Sequence, residues 1–266
     1  MTNFRGFKVK ISVFFCWFLT FALFSIINAY AGIEEGLVIY FSFDEIDDVV
    51  VVNGANENIN GILEGESEQV AGYQNMGIAL NPDADEGTPG DGFIRVQNNP
   101  EVNVGEQFTI AVWAKGSNFG AYRTLMSNTD SSGYALTVEN GKPASWVHIN
   151  GDYLQAAGRT DLKTDTWYHL ALTFDGTDAV VYLDGAEDAK ATKKGGVTPS
   201  TSDFFIGAEP SGQAIDNSYP AWHGILDDFY FYNRALSKDE IGLLIKKASA
   251  VEPGSKLATR WGGLRN

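Results

Sequence analysis

The chain has 266 residues, 29 glycines against 8 prolines and a formal charge of −15, which suits one large β domain with a substantial core. That acidity excludes nucleic acid and anionic lipid as partners, because both would be repelled, and it favours divalent cations. The one cysteine, Cys16, lies in an N-terminal leader, so the rest of the chain has no disulfide, thiol nucleophile or thiolate metal ligand.

In the leader, Arg5, Lys8 and Lys10 precede an uncharged apolar run from Ile11 to Ile27, and Ala29-Tyr30-Ala31 supplies small residues for a signal peptidase before Gly32. Residues 1–31 therefore read as a cleaved secretory signal, which makes the product secreted or cell-surface. The competing reading is an uncleaved membrane anchor, since the run is near the lower length limit for spanning a bilayer. Cleavage removes three bases and no acid, so Lys+Arg falls from 19 to 16 against 34 Asp+Glu and the net charge becomes −18; no membrane insertion is then expected. A single β domain is expected over residues 32–250. The tail over 251–266 lacks periodicity and reads as flexible.

Leu37, Ile39, Phe41 and Phe43 alternate with Val38, Tyr40 and Ser42, giving a first strand that ends in the acids Asp44, Glu45, Asp47 and Asp48. Residues 53–69 read as loop or short irregular strand. Strands at 77–80 and 93–96 flank a polar insertion whose Asp83, Asp85, Glu86 and Asp91 could converge on a cation; the EF-hand spacing is absent, and a solvated loop is favoured. Phe108, Ile110 and Val112 alternate with Thr109, Ala111 and Trp113, and apolar residues on both sides predict a central strand covered on both faces. Residues 134–138 and 144–149 pair around Asn140-Gly141. Leu170, Leu172 and Phe174 lead through Asp175-Gly176 into a strand at 180–183, which Asp184-Gly185 closes. Residues 190–202 read as a polar connection, and a last strand spans 225–232. Ser237-Lys-Asp-Glu240 is a capping box opening a helix, with Leu236 placed to staple against Ile241.

Four of these segments match one pattern in order. The stretch from Trp167 to Gly185 (W-Y-H-L-A-L-T-F-D-G, then V-V-Y-L-D-G), Phe108 to Trp113, Phe205-Ile206-Gly207, and Gly224 to Ser237 (G-I-L-D-D-F-Y-F-Y-N-R-A-L-S) together resemble the laminin G-like, or concanavalin A-like lectin/glucanase, domains of the pentraxin-like type. The resemblance implies an all-β fold, an antiparallel jelly-roll β-sandwich with a short C-terminal helix. That fold hosts many unrelated activities. It further implies that Asp227, the aspartate of the G-x-I-D-E segment, lies beside a structural calcium ion, with Asp44 as an additional ligand.

Asp227 shares the parity of Ile225, Phe229 and Phe231, so a carboxylate falls on the face expected to be buried. It must reach a strand end, meet a cation or be protonated; the alternative to calcium is pairing with an arginine or backbone N–H. Glu64-Gly-Glu-Ser-Glu68 approaches the E-x-D-x-E pattern of glucanases but lacks the central aspartate and apolar anchors, so a loop is favoured and no catalytic residue is assigned. His148, His169 and His223 lack zinc-site spacing. Tyr219, Trp222 and His223, before the last strand, are the candidate ligand-binding residues; Trp146, His148 and Tyr153 flank another turn. The expected function is a secreted non-catalytic module binding a glycan or extracellular protein. The alternatives are a glycan hydrolase or lyase on the same jelly roll, and a purely structural adhesion module.

Overall fold

The computed structural model describes residues 33–82, 91–211, 214–216 and 219–250, the side chains of 248–250 excepted. The leader, the acids Asp83, Asp85 and Glu86, and the tail beyond residue 250 lie outside the described residues. The chain divides into compact units at residues 1–35 and 36–266, and every strand and the helix belong to the second.

In chain order the strands are β1 (Leu37–Phe41), β2 (Ile46–Asp47), β3 (Val50–Val51), β4 (Gly61–Glu64), β5 (Ser67–Ala71), β6 (Met76–Leu80) and β7 (Phe93–Val96). Next come β8 (Phe108–Gly116), β9 (Tyr122–Ser127), β10 (Tyr134–Glu139), β11 (Lys142–Ile149), β12 (Asp152–Ala157) and β13 (Tyr168–Phe174). The series ends with β14 (Asp178–Leu183), β15 (Ala186–Thr192), β16 (Phe204–Ile206), β17 (Pro210–Ser211), β18 (Ala214–Ile215), β19 (Gly224–Tyr232) and, among the described residues, one helix, α1 (Lys238–Ala250). One sheet has eight strands, ordered β15-β14-β13-β8-β19-β6-β5 with β1 also on β19; a second has nine, ordered β12-β11-β10-β9-β16-β7-β4-β3-β2. A small hairpin, β17-β18, stands apart. Every pairing among these strands is antiparallel, and the whole is the expected jelly-roll sandwich.

Alternation decides which residues fill the space between the sheets. From the first sheet, Phe108, Ile110 and Val112 of β8, Leu170, Leu172 and Phe174 of β13, and Phe229 and Phe231 of β19 enter the core. From the second, Tyr134, Leu136, Val138, Val147 and Ile149 meet them. Tyr134 stacks on Phe108 with centroids 4.0 Å apart and on Phe231 at 6.0 Å, and its hydroxyl donates to the Val102 carbonyl at 2.5 Å. Trp113, on the other side of β8, is covered as expected: it stacks on Tyr73 at 3.6 Å and meets His169 edge-on at 5.3 Å.

The turns follow their residues. Asn140-Gly141 and Asp184-Gly185 both have positive φ at two successive positions (49° and 75°; 49° and 78°), the geometry of two-residue hairpins. Ser237 caps α1 reciprocally: Glu240 Oε2 accepts the Ser237 N–H at 2.8 Å while Ser237 Oγ accepts the Glu240 N–H at 3.3 Å. Leu236 and Ile241 are both buried beside it.

Three readings change. Residues 61–71 form β4 and β5, which join different sheets across a turn at Gly65 (φ 66°); Glu64, Glu66 and Glu68 therefore do not share a face, and Glu64 pairs with Arg95 at 2.5 Å. The expected polar connection at 190–202 begins inside a strand, β15, which runs to Thr192, and its Val197 bridges Ile149 and is buried. Strict alternation fails in β19, where Asp228 adopts φ 45° and the register against β8 shifts between Asp227 and Tyr230. An extra residue in one strand reverses the parity after it. Leu226 thus enters the core on one side of the bulge and Phe229 and Phe231 on the other. Asp227, opposite Trp113, faces away from the core.

Phe231 is fully buried and also meets Phe204 edge-on at 5.3 Å. Phe231→Ala should cost about 3–5 kcal/mol of unfolding free energy, read as a lowered urea midpoint with an unchanged slope.

Candidate functional site

On the outer face of the nine-stranded sheet the same alternation that sends Leu136 and Val138 inward turns Ala135, Thr137 and Glu139 outward. On β11 it turns Trp146 and His148 outward, and on β12 Tyr153 and Gln155; register sets Trp146 between Ala135 and Gln155, His148 beside Tyr153, and Glu139 beside Tyr122. Small Ala135 next to large Trp146 leaves a hollow of about 180 Å³, lined by Tyr122, Thr129, Ala135, Trp146, Tyr153, Glu209 and Tyr219.

The remaining wall comes from the segment after β16. Phe205, outward like its partner Ser127, packs with Phe93, Ala208, Ala221 and Ile215. This small apolar cluster seats the β17-β18 hairpin on the sheet. The Asp216 N–H donates to the Glu209 carbonyl at 2.7 Å and the Tyr219 N–H to the Asp216 carbonyl at 3.1 Å. Glu209 is thereby held at one side of the hollow and Tyr219 above it, 5.4 Å from the Tyr122 ring.

The rings differ in what holds them. Trp146 Nε1 donates to Glu139 Oε1 at 2.6 Å, and Glu139 also accepts from Thr137 Oγ1 at 3.0 Å and Gln155 Nε2 at 2.9 Å. Tyr153 is edge-on to both Trp146 (6.1 Å) and His148 (4.8 Å), and its hydroxyl donates to the Ser132 carbonyl at 3.0 Å. Tyr153 and Tyr219 stay 38% and 46% exposed, so amphipathic rings line an open, pre-shaped hollow. Glu209 is 8% exposed. One of its oxygens accepts from Thr129 Oγ1, while Oε2 is buried without a hydrogen-bond partner. Burial first, with Asp216 and Asp130 adding like charge, pushes its carboxyl up to about 8. Burial, and then the nearby Glu209 and Glu139, also raise the Tyr122 phenol far above its ordinary value.

Of the residues expected to bind ligand, Tyr219 lies at this hollow together with Trp146 and Tyr153. Trp222 is 1% exposed within the main core, near Phe119, and His223 is equally buried, so neither reaches the surface. Sequence reasoning did not single out Glu209, Tyr122 or Glu139. Their signal is faint: an acid between Ala208 and Pro210 just after an apolar strand, and strand-end residues whose partners are set by register.

The expected metal residues lie on the other sheet. Asp227 Oδ2 accepts the Gln74 N–H and Oδ1 the Asp228 N–H, both at 2.8 Å. Asp44 Oδ1 accepts the Met76 N–H at 3.1 Å, and Asp228 accepts the Tyr40 hydroxyl at 2.7 Å. The backbone pairing weighed as the alternative to calcium is what this geometry contains, and no group of three or more His, Cys, Asp or Glu is arranged for a metal among the described residues. One oxygen stands out there: Gln74 Oε1 is buried without a hydrogen-bond partner. Burial, then Asp228, pushes the Asp227 carboxyl up to about 8, with Asp44 adding to it.

Asp227 and Glu209 hold protons in the folded state at pH values where the unfolded chain has lost them, so each makes stability fall as pH rises from about 4 to about 8. His169 acts oppositely below its ordinary value of 6.5, because burial pulls its folded value down to about 3. Above pH 6.5 the carboxyls decide the sign. In EDTA the melting temperature should fall between pH 6.5 and 8, as the unfolding free energy drops by at most about 1.4 kcal/mol per pH unit for each group, and calorimetry of Asp227→Asn should give a shallower fall.

The chain matches the sequence model of the family described as the concanavalin A-like lectin/glucanases superfamily over residues 88–242. No curated protein matches it. Among solved structures, the binding domain of Paraclostridial Mosquitocidal Protein 1 is similar at 18% identity and a TM-score of 0.64, covering 81% of this chain and 53% of that one. The binding domain of Botulinum Neurotoxin DC in complex with SialylT gives 12% and 0.60, covering 81% and 52%. A botulinum neurotoxin type C structure, whose cell entry is described as dependent upon interaction with two ganglioside molecules, gives 14% and 0.64, covering 82% and 53%. The chain spans about half the length of these structures, and at such identities the likeness is one of fold. No helix among the described residues is long and apolar enough to cross a membrane.

Proposed function

The chain belongs to the concanavalin A-like lectin/glucanase superfamily, and on that footing we propose that it is a secreted, non-catalytic module that binds a glycan in the hollow between Trp146, Tyr153 and Tyr219. The observation that carries the reading is this open aromatic hollow with an inward carboxyl and no basic residue among its described lining. Ring faces pack against the apolar faces of sugars, and carboxyl and hydroxyl groups meet the sugar hydroxyls. The SialylT complex of the neurotoxin DC domain and the gangliosides of type C support a glycan as the ligand class. On a glycan array the chain lacking residues 1–31 should retain a defined set of glycans, and Trp146→Ala should weaken their binding about tenfold, the loss of roughly 1.4 kcal/mol. Retention of no glycan would remove the reading.

A second reading, glycan hydrolysis, is favoured by Glu209 alone: a carboxyl held protonated near neutral pH is what a general acid requires. Against it, Glu139 is engaged by Trp146, Thr137 and Gln155, and neither Asp130 nor Asp216 is among the residues lining the hollow, whereas hydrolysis needs a second carboxylate to activate water or attack. Release of reducing ends from array hits, abolished by Glu209→Gln, would replace the binding module with an enzyme.

A structural calcium ion is the other part of the proposal. Gln74, whose N–H bonds Asp227, has a buried Oε1 without a hydrogen-bond partner, and Asp228 and Asp44 both add negative potential at Asp227; a cation held by Asp227, Asp44 and Gln74 would relieve both. A hundredfold excess of calcium over Kd stabilises the folded state by about 2.7 kcal/mol. Melting in millimolar CaCl₂ should therefore exceed that in EDTA by roughly 5 °C, and Asp227→Ala should abolish the difference. Identical wild-type curves would remove the metal.

A further inference from the structure

We propose a second glycan-binding site on the same face of the nine-stranded sheet: a polar groove of about 640 Å³ between the loops at 56–60 and 97–101, which takes neighbouring hydroxyls of a neutral sugar. It shares no lining residue with the hollow at Trp146, and its volume lies within the range that small-ligand pockets occupy. Ile94 and Val96 enter the core, so alternation turns Arg95 outward onto the floor of the groove, beside its cross-strand partner Ile62. The walls are braced by the chain itself. Asn99 Oδ1 accepts the Glu101 N–H and its Nδ2 donates to the Gln97 carbonyl, both at 2.9 Å. Asn60 Nδ2 donates to the Glu57 carbonyl at 3.1 Å, and Asn56 Nδ2 reaches from one loop to Glu101 Oε2 on the other at 3.3 Å.

The floor presents a donor next to an acceptor. Arg95 Nε donates to Glu64 Oε1 at 2.5 Å, while its Nη1 lies 3.6 Å from Asp203 Oδ2, too far for a hydrogen bond. Among the described residues neither Nη group has a hydrogen-bond acceptor, and the Arg95 side chain is 37% exposed. Asp203 is fixed by its Oδ1, which accepts the Asn98 N–H at 2.9 Å. The exposed amides of Asn58 and Gln97 extend the set. A sugar hydroxyl both donates and accepts, so two neighbouring hydroxyls match a guanidinium beside a carboxylate. Arg95 and Asp203 offset each other's charge, and an anionic sugar would also meet Glu64 and Glu101. Register places both cavities in one row across the sheet: Ile62, Arg95, Phe205, Ser127, Ala135 and Trp146 are successive cross-strand partners. Arg95 and Ala135 are thus three strand spacings apart, roughly 14 Å, with the apolar cluster at Phe205 between them. A surface that displays many sugars can engage both sites at once.

Solution NMR of the chain lacking residues 1–31 reads each cavity by its own N–H signals, those of Arg95 Nε and the Gln97 amide for the groove and the Trp146 indole for the hollow. The probes are β-1,4-linked glucose, mannose and galactose tetramers and a sialylated oligosaccharide, each at millimolar concentration. At least one neutral tetramer should shift the groove signals and should still do so in Trp146→Ala. Read at Arg95, the same tetramer should bind on the order of tenfold more weakly when Asn58→Ala and Gln97→Ala are combined. Both of those side chains are exposed, and the Trp146 indole signal reports whether the double variant is folded. Groove signals that stay fixed with all three neutral tetramers while the indole moves overturn the inference and leave the glycan reading of the hollow standing. Groove shifts that vanish in Trp146→Ala, that survive the double variant undiminished, or that are strongest with the sialylated probe overturn it too. Fixed signals at both cavities also overturn it, and if an array retains no glycan the proposed function falls with it. Should the double variant not fold, the wild type and Trp146→Ala decide alone.

Discussion

The stack of Tyr134 between Phe108 and Phe231 is the contact on which the rest of the molecule depends. It joins β10 of one sheet to β8 and β19 of the other, with ring separations of 4.0 and 6.0 Å, and the buried hydroxyl is satisfied by the Val102 carbonyl. Because side chains alternate along a strand, fixing Tyr134 inward also fixes Ala135, Thr137 and Glu139 outward. A one-residue slip of β10 would put Ala135 and Glu139 into the core and remove the floor of the hollow. The face that carries the hollow is thus a by-product of how the core is packed.

Two carboxyls with similarly raised affinity for protons sit in different circumstances. Asp227 lies under the turn that carries Gln74, and two backbone N–H groups satisfy its oxygens. Gly72 is required there, since a Cβ would come within 2.5 Å of Asp227 Oδ2. Glu209 accepts from Thr129 on one oxygen, and the Ser127 and Thr124 hydroxyls lie against the same carboxyl. The first arrangement is closed and locks a turn to β19. The second belongs to a side chain that lines a hollow with exposed rings.

The β17-β18 hairpin is the device that turns a flat sheet face into a hollow. Its seat is a handful of apolar side chains, Phe93, Phe205, Ala208 and Ala221 with Ile215, set outside the main core. Glu209 and Tyr219 flank it in sequence and are delivered to opposite sides of the same cavity. Main-chain hydrogen bonds through Asp216 tie the two together, so their spacing is held by backbone rather than by long side chains.

Local chemistry decided much of this protein from the sequence. Alternation in residues 108–113 and 170–174, the Asn140-Gly141 and Asp184-Gly185 turns and the Ser237 capping box each depend on near neighbours in the chain, and each was legible. Tyr219, Trp146 and Tyr153 could be singled out as rings near turns, but whether they meet depends on how β11, β12 and the segment after β16 are brought together. Parity foretold that Asp227 is buried, as it is, but not that it lies on the opposite face from Phe229 and Phe231, because a single residue with φ 45° at Asp228 reverses the faces of β19, and nothing in D-D-F-Y-F-Y announces that bulge. Trp222 and His223 look like loop residues beside Tyr219, yet the Trp222 N–H donates to the Gly207 carbonyl and draws both into the interior. Glu209 became visible only in three dimensions: burial and a neighbouring hollow are properties of what surrounds a side chain, and those surroundings come from strands far apart in the sequence.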